Sequence, residues 1–84
     1  MNELKQYQER KRELSVEAYR QALRAMYEVG SVLVDNPTDE NKAAYEIARK
    51  NVTNKAKLIS GFITWDDFYG IISAVQREYE QENF

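Results

Sequence analysis

Between Leu14 and Val34 the chain reads as a helix that is apolar around too much of its circumference. Residues are set at 100° steps, as 3.6 residues per turn requires. Leu14, Val16, Ala18, Tyr19, Ala22, Leu23, Ala25, Met26, Val29, Val32, Leu33 and Val34 then cover an arc of roughly 200°. A surface helix needs an apolar stripe only a little over ~100° wide. Glu13, Glu17, Arg20, Gln21, Arg24 and Glu28 are squeezed into the remainder. Such a helix must be covered on two sides. The covers are later helices of the same chain, a second copy, or a foreign protein.

The downstream punctuation supplies two further helices. The only proline, Pro37, stands in Asp35-Asn36-Pro37-Thr38. Asn36 is a good N-cap and proline suits the first helical position, so a second helix is expected from about Pro37 to Ser60. Gly61 then falls just past its end, where a left-handed backbone is common. Thr64 and Asp67 have capping-box spacing, and Ile63 and Phe68 have staple spacing. Asp66 and Asp67 suit the positive end of the helix dipole. A third helix to about Gln81 would present Trp65, Phe68, Ile72, Val75 and Tyr79 on one face, with Tyr69 and Ile71 at its edges.

The first helix is expected over about 3–34, the second over 37–60 and the third over 65–81. The first has a loosely held polar start, and a break at Ser15 is the alternative. At 84 residues there is room for one domain, spanning 1–84. A chain this short buries about 60–65% of its unfolded surface, so its stability is modest. The predicted class is all-α, a small up-down-up three-helix bundle that self-association would complete.

Cysteine and histidine are both absent, which removes thiolate ligands, disulfides and the commonest general base. Asp66 and Asp67 are adjacent, so on a helix they point ~100° apart and cannot easily converge on one substrate atom. No glycine-rich phosphate loop and no metal-spaced ligands occur. The chain is therefore read as no enzyme, with no cofactor and no metal. The longest uncharged run, Leu58 to Trp65, is far short of the ~20 apolar residues that span a bilayer. No secretory signal opens the chain, so a cytoplasmic location is expected and Asn51-Val52-Thr53 is discounted as a glycosylation acceptor.

Net charge is −2, but it is polarised. Residues 1–35 carry six cations and six anions, residues 36–63 five and three, and residues 64–84 one and five. The plain reading is complementarity between the chain's own helices, and the sharper one is an acidic end aimed at a basic partner. Arg10, Lys11 and Arg12 form a basic triplet near Tyr7. Glu9 and Glu13 flank it, and intrahelical pairing, Glu9 with Arg12, is expected to absorb it. Asn51 and Lys55 sit within the apolar arc of the second helix, between Ala48, Val52, Ala56 and Ile59 on one side and Ile47 and Leu58 on the other. Either the lysine stem packs on the core with its amine in water, or the pair is a polar seam between an inner stripe and a partner-facing one.

Six tyrosines sit mostly at borders of apolar arcs, where the ring packs and the hydroxyl stays wet. Gly70, Ser73 and Ala74 make a small-residue patch that would suit close approach of another backbone, or is simply exposed. The functional expectation is a non-catalytic protein-binding module that occludes or bridges its partner. Its size and charge would suit a phage- or mobile-element-encoded inhibitor of a host protein. Tyr19, Leu23, Met26 and Tyr27 are the expected partner-binding anchors, with Glu78, Glu80 and Glu82 at the rim. A homo-oligomer is expected and a membrane is not. Nucleic-acid binding through the second helix and the triplet is the alternative.

Overall fold

The computed structural model describes residues 2–83. It is an all-α bundle of three helices, α1 (Asn2–Asp35), α2 (Asp39–Ile59) and α3 (Trp65–Asn83), running up, down and up. No helix among the described residues is long and apolar enough to cross a membrane.

α1 is continuous, without a break at Ser15. Its 34 residues make about 51 Å at 1.5 Å per residue, which matches the 53 Å length of the molecule. The radius of gyration, 15.1 Å, exceeds the ~12 Å of a compact chain of this size, because the molecule is elongated, 53 × 25 × 19 Å. Every side chain from Asn2 to Leu14 is exposed.

α2 starts two residues later than expected. Its N-cap is Thr38, whose hydroxyl accepts from the Asn41 backbone N–H at 3.1 Å. Pro37 therefore lies outside the helix. Asn36 serves the turn instead, its carbonyl accepting from the Asn41 side-chain amide at 2.7 Å and from the Thr38 N–H at 2.8 Å. With Thr38 as cap, Asp39 and Glu40 fall in the first turn, where the helix dipole favours them. At the other end Gly61 is not left-handed. The Phe62 and Ile63 N–H groups donate back to the Ile59 carbonyl at 2.9 and 3.3 Å, closing α2 in a tight turn that needs no positive φ.

The start of α3 is as read from sequence. The Thr64 N–H donates to Asp67 Oδ2 at 3.0 Å, and the Asp67 N–H donates to Thr64 Oγ1 at 3.2 Å. The Thr64 backbone N–H, and next the Thr64 hydroxyl, hold the Asp67 carboxyl below the usual Asp range. Ile63 packs against the cluster that includes Phe68, as the staple spacing requires.

The core is small: Tyr19, Ala22 and Leu23 from α1, Ile59 from α2, and Phe68 and Val75 from α3. Burial of each large member contributes roughly 1.5–3 kcal/mol. α2 and α3 both pack on α1, but no Cα of α2 lies within 8 Å of a Cα of α3. The middle of the apolar arc of α1 is thus covered on two sides within the chain, while Leu14, Val32 and Val34 stay exposed at 62%, 51% and 82%.

Trp65 departs from the expected inward face of α3 and is 76% exposed. Phe68 and Val75 are buried, with Ile71 and Ile72 partly covered on either side, so the inward direction runs through Phe68 and Val75. On a helical projection Trp65 stands about 60–80° away from Phe68 and Val75. Only a close approach of α2 would cover that flank, and α2 does not make one.

Candidate interaction surfaces

Because α2 and α3 stand apart over α1, a trough opens between them. Its lower stretch, about 440 Å3, has Tyr19 as floor, Thr53, Ala56, Lys57 and Ser60 on the α2 wall, and Trp65, Phe68, Tyr69 and Ile72 on the α3 wall. A separate upper stretch, about 910 Å3, shares no lining residue with it and is lined by Met26, Tyr27 and Gly30 of α1, Tyr45 of α2 and Tyr79 of α3. The aromatic rings are stacked outward from the core. Tyr19 meets Phe68 edge-on, with centroids 5.6 Å apart at 89°, and Trp65 lies over Phe68 at 5.7 Å and 40°. Trp65 and Tyr69, 64% exposed, therefore form an apolar lip on a rigid base. In the upper stretch the Tyr27 and Tyr79 rings lie 5.9 Å apart, and the Tyr79 hydroxyl shares a 2.5 Å hydrogen bond with Ser31.

Of the sequence-derived anchors, Tyr19, Met26 and Tyr27 line the trough at its base and Leu23 does not reach it. Tyr19 and Leu23 are 4% and 3% exposed, inside the chain's own core. Met26 and Tyr27 are half-buried and packed against it. A side chain already covered has little surface left to give a partner. Burial raises the hydroxyl pKa of Tyr19, with Tyr27 adding to it, and burial alone raises that of Tyr27. Both phenols stay protonated.

The acidic end is occupied too. Glu78 accepts from Arg20 at 3.1 Å, and Glu82 pairs with Arg24. Glu80 accepts from the Gln76 amide at 3.3 Å. The polarised charge is thus partly spent inside the molecule, but between α1 and α3 and not between α2 and α3. Among the described residues the one α2 cation in an ion pair is Arg49, with Glu46 at 2.9 Å. Among the described residues Lys42, Lys50, Lys55 and Lys57 have no carboxylate within 4.0 Å.

The basic triplet also lacks its expected pairs. None of Arg10, Lys11 and Arg12 forms an ion pair among the described residues. Arg10 and Lys11 instead line a cleft of about 540 Å3 between α1 and α2, together with Tyr7, Leu14, Lys55 and Leu58. Lys55 is half-buried there while Asn51 is exposed. The apolar arc of α2 is split: Val52, Ala56 and Ile59 pack inward, Ile47 and Leu58 are exposed, and the half-buried Lys55 fits packing of its stem as well as a seam. In the small-residue patch Gly70 and Ser73 are exposed and Ala74 is half-buried, and a Cβ at Gly70 would find no atom within 4 Å.

Sequence reasoning missed Trp65 and Tyr69 as surface residues, because helical spacing alone placed them on or beside the core face. The available signal was charge: Lys50, Thr53 and Lys57 form a polar stripe on α2, and such a stripe does not pack well against an aromatic neighbour. No protein-family model, curated protein or solved structure matches the chain.

Proposed function

We propose that the chain is a non-catalytic helical module that binds another protein through the trough between α2 and α3. One observation carries this reading: the single tryptophan of the chain stands largely exposed beside an exposed tyrosine, on a cleft whose base is firmly packed. Tryptophan and tyrosine supply a disproportionate share of interface energy, and a preformed base lowers the ordering cost of binding. A module of this kind needs no chemistry of its own. It acts as an inhibitor by occlusion, or as a bridge. The test is comparative capture from a host lysate. The wild type should retain a partner that a Trp65→Ser, Tyr69→Ser variant of unchanged circular dichroism releases. Equal capture by both would overturn the reading.

A second reading, binding of nucleic acid, draws on the α1–α2 cleft, where Arg10, Lys11 and Lys55 converge beside Tyr7. Three cations and an aromatic ring in one cleft suit a phosphate backbone with a stacked base. Binding of a 20-nucleotide single strand that weakens steeply between about 50 and 200 mM salt would support it. No binding at the lower salt would remove it.

A further inference from the structure

We infer that the occupant of the trough is an amphipathic helix carrying carboxylates along the edge that faces α2. This rests on the proposed function and adds the chemistry of the partner. The trough has the shape of a four-helix bundle that lacks one member: α1 is its floor, α2 and α3 are its walls, and the walls do not approach one another. Its walls are helices whose backbone groups are bonded internally, so no sheet edge is offered to an extended strand. A helix brings its own backbone bonds satisfied and presents an apolar stripe at i, i+3, i+4 and i+7.

The charge on the two rims sets the polarity of that helix. Lys57 is the one charged side chain lining the lower stretch; Lys50 lies two turns earlier on the same stripe of α2, one turn after Glu46, which Arg49 already pairs. Neither has a carboxylate within 4.0 Å among the described residues. The facing rim on α3, Trp65, Tyr69 and Ile72, is uncharged. An acidic edge against α2 with an apolar stripe over Trp65 complements both rims. The exposed start of α1 is a poorer match, because Glu3, Glu9 and Glu13 are interleaved with Lys5, Arg10, Lys11 and Arg12 and leave it no acidic edge.

Trp65, as the only tryptophan, reports occupancy directly. The probes are two synthetic helical peptides of about 18 residues, long enough to follow α3. They share one leucine stripe and differ in flanking residues, all Glu in one and all Lys in the other. The Glu peptide should shift Trp65 emission to the blue with saturation, and should bind about three- to ten-fold more tightly than the Lys peptide at low salt. Lys57→Glu, an exposed change that leaves the fold intact, should erase or reverse that preference. Equal affinities, or saturation without a blue shift, overturn the inference. So does a blue shift on concentrating the chain alone with doubling of its mass, which would put a second copy in the trough. If neither peptide binds while capture still depends on Trp65 and Tyr69, the helix chemistry falls and the protein-binding reading stands.

Discussion

Tyr19 of α1 and Phe68 of α3 meet edge to face, with ring centroids 5.6 Å apart and planes at 89°. The pair ties the middle of the first helix to the first turn of the third. Such an arrangement sets the electropositive ring edge against the electronegative face, worth about 0.5–1.5 kcal/mol beyond the buried area. Phe68→Ala should therefore lower stability by about 3–5 kcal/mol. Trp65→Ala, three residues earlier but exposed, should cost under about 1 kcal/mol. Urea unfolding of the two variants checks the contrast, and comparable losses would mean that Trp65 is covered in solution.

The reciprocal bonds between Thr64 and Asp67 predict a pH dependence. The folded-state pKa of Asp67 lies below the ordinary value of 3.8, so its contribution is complete above that value and is lost as pH falls through the lower folded one. Between neutral pH and about pH 5 the wild type and Asp67→Asn should respond alike to pH. Below pH 4 the stability gap between them should narrow. Thr64→Ala removes the cap itself and should cost about 1 kcal/mol at neutral pH. Parallel urea midpoints across pH 2–7 would show that the bonds do not hold in solution.

Much of this fold was legible because it is written locally. Thr64, Asp67, Ile63 and Phe68 lie within six residues, and their spacing alone specifies how α3 begins. Thr38 and Asn36 were harder to separate, since both are capping residues flanking Pro37. The choice depends on Asn41, whose backbone and side chain bond to one of them each. The outward turn of Trp65 was not legible at all. It follows from α3 packing on α1 without α2, a relation between distant elements that periodicity within one helix does not contain. The Trp65–Tyr69 lip was missed for the same reason, because a trough is made by the absence of a neighbour, whereas Tyr19, Met26 and Tyr27 at its base were singled out from the sequence.

Gly70 interrupts α3 with no visible purpose. A Cβ there would meet no atom within 4 Å, and the residue is exposed. Gly70→Ala should then stabilise the chain by up to about 1 kcal/mol through helix propensity. Thermal unfolding followed by circular dichroism measures it. A loss of stability would mean that another backbone approaches this face in solution.

Two ion pairs clamp α1 to the C-terminal half of α3, Arg20 to Glu78 and Arg24 to Glu82. Their side chains are one-third to one-half exposed, so solvent screening limits each to about 0.2–1 kcal/mol. Glu78→Gln and Glu82→Gln together should lower the unfolding midpoint modestly at low salt and hardly at all in ~1 M salt. A loss that survives high salt would point to packing by the carboxylate stems, not charge.

The strongest contrast between a binding anchor and a core residue is at Leu23 and Met26. Leu23 is buried, and Met26 packs against the same cluster as Tyr19, Ile59 and Val75. An aspartate at either position places a carboxylate among apolar side chains with no cation to meet it, at a cost of several kcal/mol. Small domains have only about 5–15 kcal/mol of net stability, and this core is at the small end. Leu23→Asp with Met26→Asp should therefore abolish helical circular dichroism at 25 °C. Trp65→Asp, by contrast, should leave the helices intact and act on binding alone, because that side chain is already in water. A double variant that kept its helical spectrum would show that Leu23 and Met26 face outward, and would return the binding surface to α1.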